Sequence, residues 1–397
     1  MNSLKLSQSK TIPYLTSLIL LFSSCFTQSQ STNDTQPEKE ISQISITKNQ
    51  PDTTIRLKFS SGIRAIMEDS KGNIWFGSHQ EGVAVFDGIK FTYFSLEDGL
   101  SANQVRSIYE DSNGIIWFEC STGISSYTEK KIITHKEKNF NSINNWQSGK
   151  NDIWFKGDES FGYNGKEIKP GVYRYDGKQL NYHAFPIISK KGDEFFNSVS
   201  TPFVKGKNGV FWFGTYGAVF GYDGTSESVL LQLPGIDHQN FTIIDDQSLG
   251  YDQGFLHVRS IFEDSKGNLW IGNNGIGVLL YDGKTTINFS EKKGLTSGRV
   301  LQTGGFHSPP GTLEHVFSIG EDHSGNIWFG DRDTGAWKYD GEYLKNYSRK
   351  DGLTCIHIWQ IYNAKNGELW FAMDDGKVLK FNPTAEKNGV KSFERIF

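Results

Sequence analysis

The 397-residue sequence predicts an all-β fold, a seven-bladed β-propeller of four-stranded antiparallel blades. Three observations predict it. One short segment recurs along the chain, a hairpin signal follows most of its copies, and no long amphipathic helical pattern occurs. Because a repeat array grows as one unit, the length does not require two or three separate domains.

The recurring segment has the pattern Glu-Asp-Ser-x-Gly-Asn-Ile-Trp-Phe-Gly. Its clearest copies span residues 66–77, 108–118, 261–272 and 319–330. With three degenerate copies, the repeat tryptophans are Trp75, Trp117, Trp154, Trp212, Trp270, Trp328 and Trp370. A spacing of roughly 40 to 60 residues accommodates four short strands, the content of one propeller blade.

Each repeat is interpreted as four strands. An apolar inner strand, such as residues 105–109, is followed by the tryptophan strand, a third strand and a short fourth strand. The third strand ends at Tyr/Phe-Asp-Gly, and Asp-Gly between β-rich segments indicates a type I′ hairpin, since both turn residues need positive φ. We interpret the motif residues as structural, with each Trp packed against the next blade and each Asp capping its turn.

The first residues of the chain have the pattern of a signal peptide. Lys5 and Lys10 precede an apolar stretch at 14–22, which is too short to span a bilayer. Leu21-Phe-Ser-Ser-Cys25 resembles a bacterial lipobox, which implies cleavage before Cys25 and lipidation of its thiol. An ordinary secretory signal with a chance cysteine is the alternative.

These patterns predict three regions. Residues 1–24 are a lipoprotein signal peptide, residues 25–52 are the lipidated cysteine with a flexible tether rich in Gln, Ser and Thr, and residues 53–397 are the propeller. We expect a monomer that crosses the inner membrane and stays anchored by its lipid to a bacterial membrane, on the periplasmic or outer-membrane side. The lipid is then its only contact with the membrane.

Composition narrows the function. The formal net charge is −4 and no Lys/Arg-rich run occurs, which disfavours nucleic-acid binding. Three cysteines are too few for a disulfide-built scaffold. We interpret Cys120 and Cys355 as buried free thiols.

The repeat resembles the two-component regulator propeller family, the extracytoplasmic sensor repeats of bacterial hybrid histidine kinases, over about residues 55–385. The resemblance implies an extracytoplasmic ligand-binding propeller. Since no kinase, DNA-binding or membrane-spanning pattern occurs before Phe397, we expect a stand-alone lipoprotein without kinase activity. The Asp-box of sialidases is set aside, because two residues rather than one separate Asp69 from Gly72.

Four long connections are predicted, at residues 157–170, 186–199, 234–255 and 290–314. In an antiparallel blade, second-to-third and fourth-to-first connections share one face, so these insertions predict a binding face over blades 3–6. Loop growth without function is the alternative. The loop-face residues suited to a polar small molecule, a glycan or a protein are Tyr163, Phe195, Phe196, His238 and Tyr251. These rings could instead close small loop cores.

A second candidate site lies at the central channel. The residue thirteen before the repeat Trp starts the inner strand, and it is His257, His315 and His357 in three consecutive blades. Three histidines plus water is a zinc geometry, and neutral histidines also serve as acid/base groups. A polar rim inherited by repeat duplication is the alternative. Two residues further along their strands, and so on the same face, lie Arg64, Arg106, Arg259 and Trp359.

Two functions of different class follow. We favour a binding module for a glycan or a protein. The alternative is a lyase or hydrolase at the channel mouth, similar in outline to propeller lyases of the virginiamycin B lyase type, which use a metal and a histidine on one face. No cofactor is required by the sequence, although zinc at the histidines is one possibility. Calcium held by Asp331, Asp333 and Asp374 is another, but an EF-hand is excluded because Ala336 stands where that loop needs Gly.

Overall fold

The computed structural model describes residues 56–128, 130–135, 139–140, 149, 151–156, 171–184, 198–207, 209–222, 241–245, 257–297 and 307–397. The chain divides into two units, Met1–Lys48 and Asn49–Phe397, and every described residue belongs to the second. Cys25 and the expected tether therefore lie outside the described residues, and their interpretation stays a prediction. In the part of the chain that the structure describes, no helix is long and apolar enough to cross a membrane.

Seven four-stranded sheets form the blades, which confirms the predicted seven-bladed propeller. Blades 1 and 2 comprise β1 (Ile63–Glu68), β2 (Ile74–Ser78), β3 (Val83–Phe86), β4 (Phe91–Phe94), β5 (Val105–Glu110), β6 (Ile116–Cys120), β7 (Gly123–Thr128) and β8 (Lys131–His135). Blades 3 and 4 comprise β9 (Asn139–Phe140), β10 (Ile153–Lys156), β11 (Gly171–Tyr175), β12 (Leu180–Ala184), β13 (Val204–Lys205), β14 (Phe211–Gly214), β15 (Ala218–Tyr222) and β16 (Phe241–Asp245).

The remaining three blades follow the same order. They comprise β17 (Val258–Glu263), β18 (Leu269–Asn273), β19 (Val278–Tyr281), β20 (Thr286–Asn288), β21 (Val316–Glu321), β22 (Ile327–Asp331), β23 (Gly335–Tyr339), β24 (Leu344–Tyr347), β25 (Ile358–Asn363), β26 (Leu369–Met373), β27 (Val378–Phe381) and β28 (Phe393–Arg395). The described helices are short: 3₁₀ turns at Leu96–Asp98 and Arg349–Asp351, α1 (Phe289–Lys292) and α2 (Pro383–Lys387).

Blade 3 departs from the antiparallel pattern. Its strands lie in the order β10-β11-β12-β9, and β9 pairs with β12 in parallel. The chain therefore touches the outer edge of this blade before it reaches the tryptophan strand β10. Among the described residues, β10 is the innermost strand of blade 3.

In the repeat motif, the aspartate of the turn caps the turn and also binds the tryptophan of the second strand, and the capping role was predicted. The indole nitrogen of Trp75 donates to Asp69 Oδ2 at 2.9 Å, and Asp69 Oδ1 caps the turn by accepting the backbone N–H of Lys71 and Asn73. The same indole-to-carboxylate bond occurs at Trp117, Trp270 and Trp328. Each carboxylate thus joins the first two strands of its blade.

Neighbouring blades are joined by rings and by glutamates. Trp75 packs against Phe118 and Tyr127 of the next blade, with ring centroids 5.7 and 5.2 Å apart. At the end of the inner strand, Glu110 accepts the backbone N–H of Ser70 in the preceding blade at 2.7 Å. Glu68 of blade 1 accepts the N–H of Lys365 in blade 7 at 2.6 Å, so the ring closes with the same bond that joins other blades.

Closure is made by the carboxyl-terminal end of the chain. Strand β28 pairs with β27 in blade 7, and Phe397 packs against Phe76 of blade 1 with a ring-centroid distance of 5.1 Å. Residues 53–60, Thr-Thr-Ile-Arg-Leu-Lys-Phe-Ser, have a sequence that predicts a strand before blade 1, but the described part, 56–60, is not β-structure. Leu57 and Phe59 nevertheless join the same core between blades 1 and 7. Both ends of the propeller therefore meet at this junction.

The predicted long connection at 234–255 needs correction. Residues 241–245 within it form β16, the outer strand of blade 4, paired with β15. The insertion in blade 4 therefore falls partly between its third strand β15 and its fourth strand β16, and partly between β16 and the first strand of blade 5, β17. Because these two types lie on opposite faces, not all of the insertions belong to one face.

Candidate functional site

The inner strands carry a repeated β-bulge at the channel. In five blades the strand register shifts at the residue eleven before the repeat Trp, which therefore has no partner in the neighbouring strand. A bulge redirects the side chain of the extra residue. The bulged residues are Arg64, Arg106, Arg259, Phe317 and Trp359. Four of these five were singled out in the sequence; Phe317 was not.

A second position completes the mouth. The residue four after the repeat Trp begins the second-to-third turn, and its N–H donates to the carbonyl of the residue thirteen before that Trp. These bonds join His79 to Gly62, Ser121 to Gln104, Asn274 to His257, Arg332 to His315 and Asp374 to His357, at 2.7 to 3.1 Å. Sequence reasoning missed this position, although the same count along the repeats would have found it.

Cations and rings from separate blades contact one another around the channel. Arg64 Cζ lies 4.6 Å from the ring centroid of Trp359, within cation–π range. Trp359 lies 5.4 Å from Phe317, and Arg259 Cζ lies 5.1 Å from Phe317 and 5.9 Å from Tyr216. This arc includes side chains from blades 1, 7, 6, 5 and 4.

The arc continues through polar groups into blade 2. Trp359 stacks on His79 with centroids 5.4 Å apart, and His79 Nε2 lies 3.5 Å from Gln104 Nε2. Gln104 Oε1 accepts a hydrogen bond from Arg106 at 3.1 Å. We name this set, from Arg106 through Trp359 to Arg259 and Tyr216, the mouth arc.

Trp359 occupies space that blade 1 leaves open. A Cβ atom at Gly62 would lie 2.3 Å from Trp359 Nε1, so glycine is required there by close approach. The indole N–H donates to Asp374 Oδ1 at 2.7 Å. This explains why blade 1 has glycine where blades 5, 6 and 7 have histidine.

Two of the three aligned histidines are linked by an amide. Asn274 Nδ2 lies 3.2 Å from His257 Nδ1, and Asn274 Oδ1 lies 2.7 Å from His315 Nδ1. With the amide assigned in this orientation, His257 Nδ1 is an acceptor and His315 Nδ1 carries the proton. His357 instead packs against Trp359 and Phe317, at 4.4 and 5.3 Å between centroids.

The predicted three-histidine metal site is not formed. Within the described ranges, no group of three or more His, Cys, Asp or Glu side chains is placed to hold a metal ion. The physical reason is that Asn274 takes the Nδ1 atoms of both His257 and His315, while His357 is held among rings.

The calcium hypothesis at the three aspartates also fails. Asp331 accepts the backbone N–H of His315, Asp333 and Thr334. Asp333 accepts from Arg332, and Asp374 accepts from Trp359. Because N–H donors point at these oxygens, the carboxylates are oriented toward positive hydrogens rather than toward a shared cation.

The histidines at the mouth are neutral at neutral pH. Burial lowers the pKa of His257 to about 2, and Arg259 adds to the shift. Burial and the nearby Arg332 lower the pKa of His315 to about 4, and burial lowers the pKa of His357 to about 4. The positive charge of the mouth therefore resides on arginines, and the imidazoles offer hydrogen bonds without charge.

The loop-face residues cannot be placed in the same way. Tyr163, Phe195, Phe196, His238 and Tyr251 lie outside the described residues. Among the described residues, the mouth arc brings together polar and aromatic side chains from six blades.

Comparison with known proteins bears on these repeats. Residues 58–80, 99–118 and 253–275 match the two component regulator propeller family. The chain contains two-component regulator propeller repeats. No curated protein matches the sequence.

Solved structures resemble this chain in fold. The extracellular domain of the hybrid two component system BT3049 from B. thetaiotaomicron is 20% identical over 83% of this chain and 40% of that chain, with a TM-score of 0.55. The extracellular domain of the hybrid two component system BT4673 from the same organism is 19% identical over 85% of this chain and 41% of that chain, with a TM-score of 0.52. This chain thus spans about two fifths of those domains.

A lyase is also among the similar structures. Virginiamycin B lyase from Staphylococcus aureus is 12% identical over 87% of each chain, with a TM-score of 0.43. That likeness is too distant to support an argument about activity.

Proposed function

We propose that this two-component regulator propeller is an extracytoplasmic binding module that recognises a glycan at the mouth of its channel. The observation that carries the proposal is the mouth arc, in which bulged side chains from blades 1, 5, 6 and 7 contact one another. The bulged side chain of blade 2, Arg106, joins them through Gln104 and His79. The extracellular domains of BT3049 and BT4673 support the location outside the cytoplasm by analogy of fold.

The chemistry of the mouth suits a sugar. Half-buried rings at Trp359, Phe317 and Tyr216 can pack against the C–H face of a pyranose. Neutral histidines supply donors and acceptors for hydroxyl groups. His315 Nε2 is buried and has no hydrogen-bond partner among the described residues, so it remains an acceptor.

The enzymatic alternative receives less support from these groups. A general acid or base works best when its pKa lies near the working pH. The pKa of His257 is about 2 and that of His315 about 4, so both are poor acids and weak bases at neutral pH. We therefore favour binding over a lyase or hydrolase reaction.

A binding screen with a matched variant tests the proposal. We expect calorimetric titration against a panel of oligosaccharides to find a ligand whose affinity falls about tenfold or more in Trp359→Ala, because a stacking ring is lost. Tyr343→Ala is the control, since Tyr343 is 68% exposed at a hairpin tip. Equal binding by wild type and Trp359→Ala would place the site elsewhere, and binding of a protein but no glycan would indicate a protein receptor.

The lipid anchor is a separate part of the proposal. We expect Cys25→Ser to move the protein from the membrane fraction to the soluble fraction, because the acceptor thiol is lost. Fractionation followed by immunoblotting measures this, with Cys355→Ser as the control. A Cys25→Ser protein that stays with the membrane would contradict lipidation at this residue.

A further inference from the structure

We propose that Asn274 is a positioning residue beside the mouth arc, which holds His257 and His315 in opposite neutral tautomers. This inference rests on the proposed function, because it specifies how the neutral imidazoles of that site are kept in order. The side-chain amide of Asn274 contacts Nδ1 of both rings, at 3.2 Å from His257 and 2.7 Å from His315.

The backbone holds this amide between two blades. Asn274 begins the second-to-third turn of blade 5, and its N–H donates to the carbonyl of His257 at 3.0 Å. Asn274 also forms an isolated β-bridge with His315 of blade 6. Because Asn274 is 4% exposed, its amide has little access to water and depends on the two rings for its hydrogen bonds.

The chemistry of an amide makes the two rings different. Its nitrogen donates and its oxygen accepts, so one ring must accept at Nδ1 and the other must donate from Nδ1. In a neutral imidazole, a proton on one ring nitrogen leaves the other nitrogen bare. His257 and His315 therefore have opposite tautomers, and this holds whichever way round the amide is placed.

Opposite tautomers require both rings to be neutral, because a protonated imidazole carries N–H at both nitrogens and cannot accept. Burial, followed by the nearby Arg259, lowers the pKa of His257 to about 2. Burial, followed by Arg332, lowers the pKa of His315 to about 4. Both rings are therefore neutral at pH 7, as the amide requires.

The repeat shows what other side chains at this position would do. The residue four after the repeat Trp is Asn274 in blade 5, Arg332 in blade 6 and Asp374 in blade 7. A guanidinium only donates, so between two imidazoles it would favour a bare Nδ1 on both. A carboxylate only accepts, so it would favour Nδ1–H on both. An amide is the group that gives the two rings opposite patterns.

The tautomer of His315 sets what its second nitrogen offers. His315 Nε2 is buried and has no hydrogen-bond partner among the described residues. With Asn274 Oδ1 facing His315, this nitrogen is bare, and with the amide reversed it carries the proton. In both cases it is uncharged, and a hydroxyl group, which donates and accepts, is complementary to it.

Nitrogen-15 NMR of the ligand-free protein tests the tautomers directly. Long-range proton–nitrogen correlations separate protonated from bare ring nitrogens, and His257→Gln and His315→Gln assign the signals. At pH 7 we expect one of the two rings to be protonated at Nδ1 and the other at Nε2. In Asn274→Asp both rings should carry a proton at Nδ1, so one ring changes its pattern. Asn113→Asp, at an exposed turn of blade 2, should change neither ring.

Calorimetric titration of Asn274→Asp tests the link to binding. The probes are the oligosaccharides of the panel used to compare wild type with Trp359→Ala. For an oligosaccharide that wild type binds, we expect the affinity to fall about tenfold in Asn274→Asp and to stay unchanged in Asn113→Asp. Melting curves of each variant separate lost affinity from lost folding.

Each result decides the inference. The same tautomer in both rings of wild type, or a doubly protonated ring at pH 7, would overturn it and leave the proposed function standing. Unchanged tautomers or unchanged affinity in Asn274→Asp would overturn the positioning role. If Asn274→Asp does not fold, the wild-type spectra still decide the tautomers. If wild type binds no oligosaccharide, the proposed function fails, and the positioning role with it, whatever the spectra show.

Discussion

At the scale of single residues, His257 shows how the mouth holds a buried, neutral side chain in place. His257 is one of two non-glycine residues with positive φ among the described residues, at 44°. Its amide donates to the carbonyl of Tyr216 at 2.7 Å, and Asn274 binds its ring. Such a conformation persists where the surroundings hold it, and it occurs often at binding sites.

His315 is expected to make stability depend on pH. Its pKa is about 4 in the folded protein and about 6.5 when unfolded, so between these values the unfolded chain binds a proton that the folded chain does not. Stability that is present above pH 6.5 is therefore lost as pH falls toward 4. The free energy of unfolding should fall about 2 kcal/mol more between pH 7 and pH 5 in wild type than in His315→Gln.

Urea unfolding at the two pH values measures this difference. Burial raises the pKa of Asp331 to about 7, which acts in the opposite direction, so only the difference between wild type and variant is diagnostic. His323→Gln, at an exposed position, is the matched control. If wild type and His315→Gln lose stability in parallel, His315 does not titrate as described.

At the scale of the strand pair, one carboxylate organises each clear repeat. Asp264 is 2% exposed and accepts four hydrogen bonds, from the N–H of Lys266 and Asn268, the amide of Asn268 and the indole of Trp270. Blade 7 has Ala364 at the equivalent position, and there Glu368 accepts the indole hydrogen instead, at 2.9 Å. The indole acceptor is thus retained even where the aspartate is not.

Asp264→Ala should destabilise blade 5 strongly. The substitution leaves buried donors without acceptors, and we expect it to lower the free energy of unfolding by about 3 kcal/mol. Asp282→Ala is the control, because Asp282 also caps a turn through Lys284 and Thr285, but at an exposed hairpin. Chemical denaturation measures the free energy of unfolding of both variants. If Asp264→Ala and Asp282→Ala lose similar amounts of it, the buried carboxylate has no special role in stability.

At the scale of the whole molecule, stability depends on closing the ring. The last residues supply an outer strand, β28, and two buried rings, Phe393 and Phe397. Phe393 belongs to the core between blades 6 and 7, and Phe397 to the core between blades 7 and 1. Without them both the last sheet and the final blade contact lose apolar area.

Deleting residues 392–397 should therefore lower the melting temperature steeply or abolish soluble expression. Removing a buried Phe costs about 3–5 kcal/mol, and a domain is stable by only about 5–15 kcal/mol. Circular dichroism melting measures the effect. Val390→Ala, at a residue 61% exposed just before the strand, should melt like wild type. Unchanged melting of the deletion would mean that the tail is not part of the ring.

The repeats made most of the fold predictable. Tryptophan spacing and Asp-Gly turns gave the blade number and strand order, because these signals are local. The strand at Phe241–Asp245 was missed because it lies inside the segment 234–255, which was predicted to be one long connection. The parallel pairing of β9 was not predictable, since it depends on the edge of a sheet formed later in the chain.

The repeat register of the inner-strand residues was predictable, but the contacts that these residues make were not. Counting back from each Trp located His257, Arg259 and their counterparts at the channel, because equivalent repeat positions occupy equivalent places. The amide that joins His257 to His315, and the indole that fills the space above Gly62, come from different blades. By itself, the sequence determined the ring of blades and which positions face the channel, since both follow from periodicity. Only the closed tertiary structure decided which of those side chains touch, because contacts between blades depend on how the whole ring packs.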